Sequence, residues 1–144
     1  MKHDTFEDFK VYSCSLSYGH LNPLFCLLPE LAKVTDSKIV DTHNNWDVPK
    51  IIRSVENEIL RLELCPIFDW SSWKEGIALL NDTNTNYYQL HFYHLCKLLT
   101  VIYRSDRFNE GYKKEMFTNG TMYKILQAIK ANFNPKELQN VRQE

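Results

Sequence analysis

Glycine and proline are scarce in this chain, 4 and 5 among 144 residues. That excludes a collagen-like or Pro/Gly-rich low-complexity segment, and with 44% hydrophobic and 13% aromatic residues the chain is far from the composition of a disordered protein. Cysteine is sparse too. Cys14, Cys26, Cys65 and Cys96 form no CxxC pair, and their spacing fits no zinc template. A loop-poor chain of this size has no need of disulfide staples. The opening MKHDTFEDFK is acidic where a secretion signal requires an apolar stretch. Apolar runs fall well short of the ~18 residues that span a bilayer, so no membrane partner is expected and a reducing cytoplasm is the expected setting. Nor is there a charge of one sign: the net is −1, which disfavours nucleic acid and anionic membranes as generic partners. The charge divides unevenly, with −4 over residues 1–103 and +3 over 104–144, but a solvated helix face accounts for so small a lobe. Finally, no Gly-x-Ser-x-Gly, Walker loop, GxGxxG or HExxH is present. That lowers the expectation of an enzyme, and no cofactor is expected.

What is present is helical periodicity along nearly the whole chain. Length fits one domain with one core, and no linker or repeat divides it. Asp4 or Thr5 can cap a first helix that turns Phe6 and Phe9 inward, with Glu7 and Asp8 in the first turn. Asn22-Pro23 reads as the start of a second helix running to Val34, with Pro29 either kinking it or restarting it at Glu30. Residues 35–47 are polar and form the longest loop, with a small β-element allowed around Lys38–Val40. Asp47 then caps a helix in which Val48, Ile51, Ile52, Val55, Ile59 and Leu62 recur at three- and four-residue steps. Asp69 or Ser71 opens another, through Trp73, Ile77 and Leu80.

From Tyr87 to Tyr103 the chain is apolar or aromatic on nearly every side. Such a helix is normally surrounded by others, which places it at the centre. A short helix near Tyr112–Phe117, a stripe of Met122, Ile125, Leu126 and Ile129, and a tail helix from Asn134-Pro135 complete the pattern. The expected fold is an all-α bundle of six to eight helices around a central segment at about 87–104.

Three features could carry chemistry. The first is Arg104-Ser-Asp106-Arg107-Phe108-Asn-Glu110-Gly111. Two arginines and two carboxylates between Tyr103 and Tyr112 suit a phosphate or carboxylate ligand. The favoured reading is a structural corner in which the arginines pair with Asp106, Glu110 or open carbonyls. The second is Trp70 and Trp73, which on a helix would share a face and either enter the core or line a groove. The third, His91 and His94, is too small a set for a metal site, and no metal is expected.

The run Ile102-Tyr-Arg104-Ser-Asp106-Arg107-Phe108-Asn-Glu110-Gly111, followed by Asn119-Gly120-Thr121 and Ile125-Leu126, resembles the bacterial family known as domain of unknown function 6508. The Asp69–Trp73 element fits the upstream part of the same pattern, so the resemblance covers roughly residues 66–133. Ser105 stands where that family often has glycine, and residues 1–65 carry no part of the likeness. The resemblance implies a cytosolic helical protein, bacterial or phage-borne, with no activity to inherit.

The expected role is a non-enzymatic interaction or regulatory module that binds another protein. Its signature would be an exposed aromatic patch. The alternative is a small-anion or nucleotide-binding, even hydrolytic, site built from Arg104, Asp106, Arg107 and Glu110, which requires an arginine not spent on internal pairs.

Overall fold

The computed structural model describes residues 6–37 and 50–133, which form eight α-helices and two 3-10 turns. They are α1 (Phe6–Ser13), α2 (Tyr18–Phe25), α3 (Leu28–Ser37), α4 (Lys50–Arg61), α5 (Lys74–Asn81), α6 (Phe92–Ser105), α7 (Tyr112–Thr118) and α8 (Thr121–Phe133). The turns are Trp70–Ser72 and Tyr87–Gln89. No strand occurs among the described residues. Among them also, no helix is long and apolar enough to cross a membrane. The suggested caps Asp4, Thr5 and Asp47, the side chain of Phe6, Val48, the Lys38–Val40 element and the tail helix lie outside the described residues.

The amphipathic pattern of α4 is realised as read: Ile51, Ile52, Val55 and Ile59 are buried, while Arg53, Asn57 and Arg61 face outward. The second helix differs from expectation. It starts at a capping box, in which the amide of Ser17 donates to His20 Nδ1 at 3.0 Å and the two side chains also meet. Asn22-Pro23 therefore lies inside α2 and does not start a helix. Pro23 removes one backbone donor, and the helix ends two residues later. Pro29 falls in the first turn of α3, where a missing amide costs nothing.

The central segment is also divided. Tyr87–Gln89 makes its own 3-10 turn, and α6 begins only at Phe92, where His91 Nδ1 accepts from the amide of Tyr93 at 3.1 Å. From there Leu95, Cys96, Leu98, Leu99, Val101 and Ile102 are essentially sealed from solvent. Burial of each such large side chain is worth about 1.5–3 kcal/mol. Helix α6 packs against α5, α7, α8 and the Trp70–Ser72 turn, and α8 against α2, α3, α6, α7 and the Tyr87–Gln89 turn. These two helices are the pair around which the rest is arranged.

Residues 62–69 run as a strap along α6. Thr100 Oγ1 donates to the Pro66 carbonyl at 2.8 Å inside the core, and Tyr12 Oη donates to the Leu62 carbonyl at 2.7 Å. The strap leads into Trp70 and Trp73, whose rings contact Phe108 beyond the end of α6 and Lys97 within it, respectively.

Candidate functional site

The Arg104–Gly111 corner forms where α6 ends at Ser105. Gly111, at φ +91°, reverses the chain into α7 in a left-handed conformation that favours glycine. Asp106 spans the corner, its Oδ1 accepting from the amide of Lys113 at 3.0 Å and so satisfying one open donor of α7. Asp106 is thus committed to structure.

The arginines are not. Among the described residues neither Arg104 nor Arg107 has a side-chain hydrogen bond or an ion pair. The expected internal pairing with Asp106 or Glu110 is not found there, because Asp106 is turned towards α7 and Glu110 is exposed. Arg104 is half-buried and Arg107 is exposed.

Next to Arg107 in the chain, Phe108 stands 82% exposed, and its ring meets that of Trp70 at a centroid distance of 6.2 Å. Ile67, on the strap that leads to Trp70, is 45% exposed. Sequence spacing did not foresee this meeting of Trp70 with the corner, since it needs the strap to return alongside α6.

Beneath the corner lies a polar group that the sequence does not advertise. Lys113 Nζ pairs with Glu56 Oε2 of α4 at 3.3 Å and stands 5.5 Å above the ring of Tyr103. The Tyr103 hydroxyl is buried without a hydrogen-bond partner among the described residues. Burial, with the negative charge of Glu56 nearby, pushes its ionisation well above the ordinary tyrosine range. The Cys65 thiol is pushed up to about 12 by burial, against an opposing pull from Arg104. It is no nucleophile at neutral pH, and Cys96, fully buried beside it, is shifted upward for the same reason. Periodicity places Glu56 on the outer side of α4, and only the tertiary packing reveals its partner on α7.

Trp73 lies apart from Trp70. The expectation that the two share a helix face fails, because Trp70–Ser72 is a 3-10 turn and Trp73, at φ −87° and ψ 77°, precedes α5. The turn is tied by Asp69, whose carboxylate accepts from Ser72 Oγ at 2.7 Å and Ser71 Oγ at 3.0 Å. Those bonds hold its ionisation below the usual carboxylate value.

Trp73 instead joins Phe68, at 5.8 Å between ring centroids, and Lys97, whose Nζ is 4.3 Å above the indole. It lines an open cleft of about 680 Å³, together with Glu75, Asp82, Gln89, His91 and His94 among others. A smaller cleft of about 310 Å³ lies between Asn84–Tyr88 and Lys124. Neither includes a residue of the Arg104–Gly111 corner. His91 and His94 are both exposed. Among the described residues no group of three or more His, Cys, Asp or Glu side chains is placed to hold a metal.

Residues 17–134 match the profile of a family of unknown function, DUF6508, and the chain belongs to that family. The match starts well before residue 66, so α2, α3 and α4 are part of the shared unit along with the RSDRFNEG corner. No curated protein and no solved structure matches the chain.

Proposed function

We propose that this protein is a non-enzymatic interaction module of the bacterial or phage cytoplasm, and that the Arg104–Phe108 corner with Trp70 is its docking surface. The partner is a protein segment that carries carboxylates beside an apolar side chain. One observation carries the reading: an aromatic ring left 82% exposed against a tryptophan, in the same corner as two arginines without a side-chain partner among the described residues. Tryptophan and arginine are the residue types that dominate binding energy at protein interfaces. An arginine not spent internally offers a planar, two-pronged match to a carboxylate. The small-anion alternative finds less support, since neither described cleft includes the corner.

The test is a photo-crosslinking amino acid placed at position 108 in the native host, followed by measurement of binding to the purified crosslinked partner. The expected result is an adduct with an acidic protein segment. Trp70→Ala and the double variant Arg104→Glu/Arg107→Glu should each weaken binding at least about tenfold, as interface anchors do. Binding that is indifferent to all three changes, or no adduct above that from a position on α5, would refute the assignment.

A further inference from the structure

Asn119-Gly120 is the sole asparagine–glycine step in the sequence, and it forms the joint between α7 and α8. Asn119 ends α7, its amide donating to the Glu115 carbonyl at 2.9 Å. Gly120 takes φ +91°, where glycine carries no steric penalty. The Asn119 side chain then closes an Asx turn. Its Oδ1 accepts at 2.9 Å from the amide of Thr121, the first residue of α8.

An asparagine followed by glycine is the step at which a chain most readily loses ammonia, because the second residue has no side chain to shield its nitrogen. Hydroxide removes the Gly120 amide proton, and the nitrogen attacks Asn119 Cγ. An N–Cγ bond forms, the Cγ–Nδ2 bond breaks, and Nδ2 leaves as ammonia. Water then opens the cyclic imide at either carbonyl. One opening leaves an aspartyl residue at position 119. The other leaves an isoaspartyl residue, with the main chain running through Cγ.

The folded joint opposes ring closure in three ways. Asn119 has ψ 0°, so the Gly120 nitrogen eclipses the Asn119 nitrogen, and Cβ stands a third of a turn away around the Cα–C bond. The five-membered ring needs the Gly120 nitrogen to eclipse Cβ instead. That rotation swings α8, which is packed against α2, α3, α6 and α7 with Met122, Ile125 and Leu126 fully buried. It also breaks the bond from the Thr121 amide. Finally, Gly120 is itself buried, which keeps hydroxide from its amide, whereas the exposed Asn119 gives ammonia an open exit.

We infer that Asn119 is a site of spontaneous deamidation gated by opening of the α7–α8 joint. The closed joint protects the side chain, and each release of the first turn of α8 lets the ring form. The two products differ in what they leave behind. The aspartyl product keeps an oxygen for the Thr121 amide and adds a negative charge at the start of α8, where the macrodipole favours it. The isoaspartyl product lengthens the main chain by one carbon and moves that oxygen away from α8.

The experiment follows ammonia loss from the full chain at mildly alkaline pH by peptide mass mapping. The chain is kept folded, held in guanidinium chloride below its unfolding transition, or fully unfolded, and hydrogen exchange of the Thr121 amide is read in the same series. In the unfolded chain position 119 should be converted first among the asparagines. In the folded chain its rate should be lower by at least about tenfold, the factor that exposing Met122 alone supplies. Below the transition, conversion at 119 and exchange at Thr121 should rise with denaturant by the same factor, since both need the same opening. Equal rates in the folded and unfolded chains would overturn the gate. So would a rate at 119 that stays flat or undetectable while Thr121 exchange rises. Earlier conversion of another asparagine in the unfolded chain would overturn the choice of site. None of these outcomes depends on the Arg104–Phe108 corner.

Discussion

Gly76→Ala isolates one contact that shapes the cleft. On helix propensity alone the change should stabilise α5 by about 1 kcal/mol, because glycine is the poorer residue in a helix interior. Gly76 is buried, however, and an added methyl would fall 2.2, 2.4 and 2.6 Å from three atoms of the Trp73 ring. No carbon tolerates such distances, so the indole must retreat by more than 1 Å. It cannot do so freely, being held between Phe68 and the Lys97 ammonium. Overpacking of this kind costs about 1–3 kcal/mol. The net effect is a loss of roughly 1 kcal/mol, or about 2–4 °C in Tm for a chain of this size. In a Trp73→Ala background the obstacle is gone and the propensity gain should surface, so the same substitution should stabilise by about 1 kcal/mol. Urea unfolding followed by far-UV circular dichroism on the four proteins gives the coupling, expected near 2 kcal/mol. A Gly76→Ala change that stabilises equally in both backgrounds would refute the claim that glycine is there to seat the indole.

Other perturbations act elsewhere in the molecule. Tyr103→Phe removes a buried hydroxyl that has no partner among the described residues, and should raise stability by about 1 kcal/mol in chemical denaturation; a loss of that size would mean the hydroxyl is bonded. Asp106→Ala should lower stability by about 1 kcal/mol through loss of the α7 cap, with hydrogen exchange accelerated first at the amide of Lys113. At neutral pH a thiol reagent should modify the exposed Cys14 and Cys26 and leave Cys65 and Cys96 untouched until denaturant is added. Partial desolvation against its neighbours, with the charge of Lys97, lowers the exposed His94 below its ordinary 6.5, so the unfolded chain takes up its proton first. Stability from this group is complete above about pH 6.5 and declines as pH falls through the folded-state value. His94→Gln should flatten that part of the stability–pH curve.

The helical class was legible because it rests on local periodicity. Ile51, Ile52, Val55 and Ile59 announce α4, and the run from Leu95 to Ile102 announces a buried helix, whatever lies around them. Boundaries set by capping were less legible. Asn22-Pro23 carries a strong start signal, yet the Ser17–His20 box won and left Pro23 inside α2. Tyr87–Gln89 looks like the first turn of α6, but His91 caps the helix at Phe92.

The candidate site divides in the same way. Gly111 and the corner were visible as a local motif. The union of Trp70 with Phe108, and of Glu56 with Lys113, depends on residues far apart in the chain, and no spacing rule encodes them. The spacing of Trp70 and Trp73 suggested a shared face only because it was read on a helix. A 3-10 turn tied by Asp69 sends them apart.

On the proposed function, the corner's exposed side chains serve a partner and do no work in holding the fold. The most direct measurement is equilibrium urea unfolding of Arg107→Ala/Phe108→Ala against the parent chain. Both side chains are exposed, and Arg107 has no side-chain partner among the described residues. The expected difference is within about 0.5 kcal/mol, as for surface positions that support nothing. A loss above about 1.5 kcal/mol would show that the corner is a structural joint and contradict the assignment.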